Sequence, residues 1–265
     1  MVENFELEEL HSELLEVLCN FEILCKEIGI DYFLIAGSLL GAIRHRGFIP
    51  WDDDVDLGMT RSDYNKLIDY FKRNQNLTYE LYCHDTNKNC HLIFCKFVDK
   101  SKPRESLKKY FDECSNISID VFPYDKCESK KVVTLIKFLR IKYFKFIIQS
   151  KDKLKDPKYK ESKIKRVARI ILSSPYSRVD IEEIFIAISK LVNEQQGGND
   201  YINYCGKYTF GKEVITDAEL HPLRRSEFES KAFYVPCKYE AVLNTTYGKD
   251  WMVVPDLSKR EQHSH

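Results

Sequence analysis

The chain has no charge to spare in either direction: 41 Lys and Arg stand against 41 Asp and Glu. A net charge of zero predicts no nucleic-acid or membrane partner from global electrostatics and leaves any attraction to anions to local clusters. No stretch is both long and uncharged enough to span a bilayer. The first residues carry acids and lack the basic, apolar, small-residue order of a secretory signal, so a cytoplasmic location is expected. The nine cysteines are odd in number and irregular in spacing, which favours reduced thiols over a disulfide framework. Internal repeats and low-complexity linkers are missing too. At 265 residues the chain can bury a real core as one large domain or two small ones.

What is present concentrates in residues 33–56, FLIAGSLLGAIRHRGFIPWDDDVD. Residues 32–36 are apolar, aromatic and branched, and read as a buried strand that breaks at Gly37. Ser38 then caps a short helix over 39–45, whose first N–H groups, with the Ser hydroxyl and Gly37 beside them, suit a phosphate oxygen. Gly47 closes that helix in the left-handed conformation, and Pro50 forbids its continuation. After the turn, residues 54–57 alternate polar and apolar as in a half-buried strand. Asp54 and Asp56 share one face and Val55 and Leu57 point into the core. Two carboxylates so placed repel unless a cation lies between them, and hard oxygen donors favour Mg²⁺ or Mn²⁺. The plainer alternative is a solvated acidic turn.

Residues 117–122, ISIDVF, form a second strand-like run with Asp120 in its middle, an expensive place for an unpaired charge. The cation held by Asp54 and Asp56 would supply its partner. Cys83, Cys90 and Cys95, with His84 and His91 between them, suggest zinc, but their spacing fits no standard finger and residues 91–99 read as a strand.

A Gly-Ser turn, an Asp-x-Asp strand and a later third Asp resemble the nucleotidyltransferase fold. The longer string GSLLGAIRHRGFIPWDDDVDLGMTRSDY, with IDVFPYD at 119–125 and YGKDWMVVPDLSKREQHSH at the C-terminus, resembles the LicD family, which includes the fukutin-related proteins. That resemblance implies transfer of a substituted phosphate, phosphocholine first and ribitol or glycerol phosphate as alternatives, from a CDP-linked donor. The acceptor would be a sugar hydroxyl of a cell-surface polymer such as lipopolysaccharide, teichoic acid or capsule, and CMP would leave. Asp54, Asp56 and Asp120 would then be the catalytic, metal-holding carboxylates, with Asp120 either a ligand or the general base. Gly37 and Ser38 would cradle a donor phosphate, and Arg44 would stabilise the departing CMP unless it pairs with an aspartate. Trp51, Asp52, Asp53 and His45 are further candidates for substrate contact. Nucleotidyl transfer from a nucleoside triphosphate, and a silent glycan-binding protein that kept the fold, are the other two readings.

Helical periodicity marks residues 5–28 and 61–73, Asp180 as N-cap and Gly197-Gly198 as stop mark a helix over 180–195, and a strand-like run falls at 79–84. The resemblance implies a strand and turn over 228–236 before a closing helix over 239–247. Residues 100–113 read as a loop or short helix. Together these predict an α/β (α+β) fold: a nucleotidyltransferase-like mixed sheet with flanking helices over 1–125, then a basic, mostly helical substrate-binding half over 126–265. Within that half, residues 132–148 form a basic helix with Phe138, Ile141, Phe144 and Ile148 on one face. It either covers the core with a solvated basic face or meets an anionic polymer, a lipid-linked acceptor or the inner face of a membrane. Residues 201–210, aromatic and Gly-punctuated, are expected to line a pocket.

Overall fold

The computed structural model describes residues 2–74, 78–103, 116–128, 132–156, 159–193 and 197–256. The candidate tail residues Lys259, Arg260, His263 and His265 lie outside them, as does most of the expected loop at 100–113.

The N-terminal helix α1 (Val2–Ile28) buries Leu10, Leu14, Leu18 and Phe21, spaced to share one face. It packs against a mixed sheet of β1 (Phe33–Leu34), β2 (Asp56–Thr60), β3 (Tyr79–Tyr82), β4 (Cys95–Pro103) and β5 (Asn116–Cys127), in the order β1-β2-β5-β4-β3. β5 is central: it runs parallel to β2 and antiparallel to β4, and Ile117, Ile119 and Val121 are fully buried. Between β1 and β2 lies α2 (Ala36–Arg44), and after β2 comes α3 (Arg61–Arg73), where Thr60 accepts the Asp63 N–H as N-cap. Arg61 forks onto buried Asp125 at 2.7 and 2.9 Å and so ties the start of α3 to β5.

The expected division at residue 125 falls inside β5. Asp125, Lys126 and Cys127 go on to pair with β6 (Asp200–Ile202), which pairs with β7 (Val214–Ile215) in the same sheet. Between these strands come α4 (Val132–Lys155), α5 (Lys163–Ser173) and α6 (Ile181–Asn193). Phe138, Ile141, Phe144 and Ile148 do share the buried face of α4, packed with Ile184 and Ile188 of α6. Beyond α7 (Asp217–Leu220), the chain returns to the first core as the hairpin of β8 (Arg224–Phe228) and β9 (Lys231–Val235) and then α8 (Tyr239–Tyr247). Phe228, Phe233, Val235 and Leu243 are buried there beside Leu14, Leu18 and Phe21.

Several local expectations change. The strand expected over 32–36 shrinks to two residues, and the helix starts at Ala36, with Ile35 at the cap position and no side-chain capping bond. Ser38 therefore lies inside the helix rather than at its cap. The left-handed residue after α2 is Arg46 (φ 57°), not Gly47. Gly47 is needed for another reason: a Cβ there would collide with the Glu229 carboxylate, which accepts the Phe48 N–H at 3.1 Å. Glu229 N–H in turn reaches Arg46 O at 2.8 Å, so the two-residue hairpin turn is stapled to the loop leading into the aspartates. Residues 91–94 are not strand, and β4 begins at Cys95.

Candidate active site

The geometry starts from the backbone of Asp56. Its N–H donates to Ser38 Oγ at 2.8 Å, and its carbonyl accepts the Ile35 N–H at 3.1 Å. Pinned on both sides, the backbone at the first residue of β2 is fixed in place. In the parallel register Asp56 stands opposite Asp120 of β5. Asp54 precedes β2 in irregular chain, yet Val55 and Leu57 are buried as the alternation requires. Asp54, Asp56 and Asp120 line one cavity of about 240 Å³.

Behind them, Asp52 and Asp53 are buried. His11 of α1, stacked on Phe48, bonds the Asp52 carbonyl at 2.7 Å and anchors this turn. The Asp52 carboxylate fills the space against Gly37, where a Cβ would lie 2.5 Å from its Oδ2. The glycine, second residue of α2, therefore makes room for an aspartate. Carboxylate oxygens of Asp52, Asp53 and Asp54 lie within 4.8 Å of one another. Such crowding has an electrostatic cost. Burial, then repulsion from Asp54 and Asp53, pushes Asp52 up to about 8, and burial with Asp54 pushes Asp53 up to about 6. Burial, then Asp54, Asp120 and Asp52, raises Asp56 well above the carboxylate range.

Asp53 Oδ1 is buried without a hydrogen-bond partner among the described residues. Crowded hard oxygens and one orphaned oxygen are what a divalent cation would relieve, so the donor set fits Mg²⁺ or Mn²⁺. The closest carboxylate cluster is 52–54, whereas the cavity presents 54, 56 and 120. We weight the second, because its carboxylates face the space a substrate can enter.

Asp120 has a protein partner that the sequence did not suggest: Lys96 Nζ at 2.6 Å. Burial acts to lower the Lys96 ammonium, but Asp120, with Asp54 and Asp56, outweighs it and holds the lysine charged. The cations of the cavity come from the second half of the chain: Lys145, on the basic helix expected over 132–148, and Lys207 and Lys212, which sequence reasoning missed. Lys145 donates to Cys205 O and Lys212 to Thr246 O, both at 2.7 Å, so neither belongs to a solvated basic face. Lys142, which donates to Gly206 O, does not either.

Arg44 and Trp51 go elsewhere. Arg44 donates to His45 Nε2 at 2.9 Å and to the carbonyls of Trp251 and Val253 at 3.0 and 3.4 Å, tying α2 to the segment after α8. It pairs with none of the aspartates among the described contacts and does not line the cavity. Trp51 packs edge-on against His45. Aromatic walls come instead from Phe94, stacked on Phe122 at 4.5 Å, with Tyr124 and Tyr208. Tyr208 lies in the stretch expected to line a pocket. Its N–H donates to Glu213 at 2.6 Å, and burial pushes that carboxyl up to about 7 against the pull of Tyr208 and the lysines. Gly206 is obligatory here, since a Cβ would strike both Glu213 oxygens.

The cysteine and histidine cluster is spoken for. Cys95 donates to Tyr64 OH, His84 bonds Cys90 O and Glu182, and His91 bonds Asp152.

Residues 29–152 match the nucleotidyltransferase domain of the LicD/FKTN/FKRP family. The lipopolysaccharide cholinephosphotransferase LicD of Haemophilus influenzae is 27% identical over 268 residues, 94% of this chain and 92% of that protein. An uncharacterized protein of Rickettsia prowazekii is 35% identical over 85 residues, 31% of this chain and 32% of that protein. The ribitol 5-phosphate transferase FKRP of Homo sapiens is 60% identical over 35 residues, 13% of this chain and 7% of that protein.

Proposed function

We propose that this chain, which belongs to the LicD family, transfers phosphocholine from a CDP-linked donor to a sugar hydroxyl of a cell-surface glycan and releases CMP. The observation that carries the reading is the lining of one cavity, which brings together Asp54, Asp56 and Asp120 from the first half of the chain, Lys145, Lys207 and Lys212 from the second, and the rings of Phe94, Phe122, Tyr124 and Tyr208. A nucleoside diphosphate ester presents those three chemistries, as a pyrophosphate, charged oxygens and a flat base. Phosphocholine is preferred to ribitol phosphate because the similarity to the cholinephosphotransferase runs along 94% of the chain, against 13% for the ribitol phosphate enzyme.

Asp54, Asp56 and Asp120 would hold Mg²⁺ or Mn²⁺. When bound, the ion would neutralise charge on the donor pyrophosphate. Lys207 and Lys212 take the remaining phosphate oxygens, and the stacked Phe94 and Phe122 offer a face to the cytosine. Lys96 already occupies Asp120 Oδ1 at 2.6 Å, which favours a holding role for this carboxylate over that of the base. Of the carboxyls lining the cavity, Glu213, with its pKa up to about 7, is the better general base for the acceptor hydroxyl.

The test supplies the purified protein with Mg²⁺ or Mn²⁺, a glycan acceptor and, separately, CDP-choline, CDP-ribitol, CDP-glycerol and CTP. CMP from CDP-choline, lost by about a thousandfold or more in Asp54→Ala with the fold retained by circular dichroism, is the expected result. Pyrophosphate from CTP would make the enzyme a nucleotidyltransferase. Near-normal turnover in Asp54→Ala would remove the carboxylate from the reaction.

A further inference from the structure

α5 is attached to the protein by the wrong face. At about 100° per residue, Ile164, Val167, Ala168, Ile171 and Leu172 fall on one side of the helix, with Lys165, Arg166, Arg169 and Ser173 on the other. An amphipathic helix on a protein surface normally turns its apolar side inward. Here the inward groups are polar. Arg169 is held by Glu161 at 3.0 Å and by Ser150 Oγ at 3.2 Å, and it lies over the Phe146 ring of α4, while Ser173 is buried. The apolar side faces away, with Ile164 83% and Ile171 63% exposed. The surface does not end with α5. Tyr143 of α4 donates to Leu172 O at 2.8 Å, and N-terminal to Tyr143 the outer side of α4 exposes Leu139, Ile136, Val133 and Val132.

Charge identifies the occupant. Between residues 132 and 173 the only acids are Asp152, Asp156 and Glu161. His91 bonds the first and Arg169 the last. α5 itself has no acid, and Lys163 and Lys165 flank its apolar side. A second copy of this chain docked face to face would bring these cations against their own equivalents, an arrangement that costs affinity. An anionic bilayer matches both features: apolar side chains enter the acyl boundary, and flanking lysines and arginines reach lipid phosphates. We propose that α5, continued by the outer stripe of α4, docks the protein in the interface of an anionic membrane. The buried side of α4 carries Lys145 to the cavity, so one helix would link the docked face to the catalytic site.

Sedimentation of the full chain with vesicles tests this, using phosphatidylcholine alone and phosphatidylcholine mixed with phosphatidylglycerol. Binding is expected to the mixed vesicles and not to the neutral ones, weakening as salt rises. Ile164→Glu with Ile171→Glu should weaken it by about tenfold or more, while CMP release on a water-soluble acceptor stays unchanged. If that variant fails to fold, Lys163→Ser with Lys165→Ser tests the same face through charge alone and should lose about tenfold. No binding of the wild type to mixed vesicles, or full binding by a folded variant, overturns the proposal. So does a wild-type dimer in vesicle-free solution that the glutamate variant converts to monomer, since the face would then belong to a second copy.

Discussion

Glu213 is 3% exposed, with lysines nearby, and burial still holds its carboxyl up to about 7. Its ordinary value is 4.5, so the folded state binds this proton more tightly than the unfolded chain. The sign follows: its contribution to stability is full below about 4.5 and is lost as pH rises through about 7, on the order of 3 kcal/mol in all. Thermal melts of wild type and Glu213→Gln across that window should therefore diverge, with the wild type falling more steeply toward alkaline pH. The Gln oxygen can still accept the Tyr208 N–H. If Glu213 is also the base, the variant should lose about a hundredfold or more in turnover and the rising limb of kcat/KM near pH 7. A normal rate profile would return Glu213 to a structural role. At this scale the carboxylates were legible because aspartates within apolar alternation are conspicuous: Asp54, Asp56 and Asp120 reach one cavity as their spacing implied. Lys207 and Lys212 carry no such mark, being ordinary lysines in an irregular segment. Arg44 lies outside the cavity lining: that a guanidinium suits phosphate says nothing about the Trp251 carbonyl, 207 residues away, that it binds.

Among the elements, α3 and β5 depend on one buried ion pair. Asp125 is 4% exposed and the Arg61 fork meets it with near-ideal geometry. Arg61→Leu leaves a buried carboxylate without its cation and should cost about 3–5 kcal/mol in urea unfolding. Adding Asp125→Leu should recover much of that loss, because the second change removes the stranded charge. If the double variant is as unstable as the single, the loss came from packing rather than charge. The same pair explains the aspartate that ends IDVFPYD: it holds a helix in place and lies outside the cavity lining. Helices α1 and α3 followed from apolar periodicity, α6 from its cap and stop signals, α8 from the family resemblance and β5 from its branched run. β6 and β7 are three and two residues long, too short for periodicity to register; β6 pairs with the end of β5, and β7 with β6. The β8–β9 turn evaded detection in another way. Its two central residues, Glu229 and Ser230, have φ of 49° and 60°, where glycine or asparagine is usual, and contact with the loop at 46–48 stabilises what local propensity opposes.

The whole molecule is closed by its C-terminal third, and this decides whether residues 1–125 are a domain in the physical sense. The first core includes Phe228 and Phe233, both with 0% exposure, and Leu243 at 1%, against α1 and the sheet. Removing them would expose Leu14, Leu18 and Phe21 to water and strip Glu229 from the loop that leads to the aspartates. Cutting at 125 would also sever β5 before its pairing with β6. Each fully buried large side chain contributes about 1.5–3 kcal/mol, and the whole fold has roughly 5–15 kcal/mol to lose. Three such side chains and a strand pairing are therefore enough to unfold the fragment. Residues 1–125 alone should give no cooperative thermal transition by circular dichroism, whereas the full chain should melt with one main transition that Mg²⁺ moves upward. A cooperative melt of the fragment would mean that the sheet and α1 suffice, and that the second half was added to a finished domain. The cavity argues for the first outcome, since Asp54, Asp56 and Asp120 come from one half of the chain and Glu213, Lys145, Lys207 and Lys212 from the other, and its lining is incomplete without the whole chain folded.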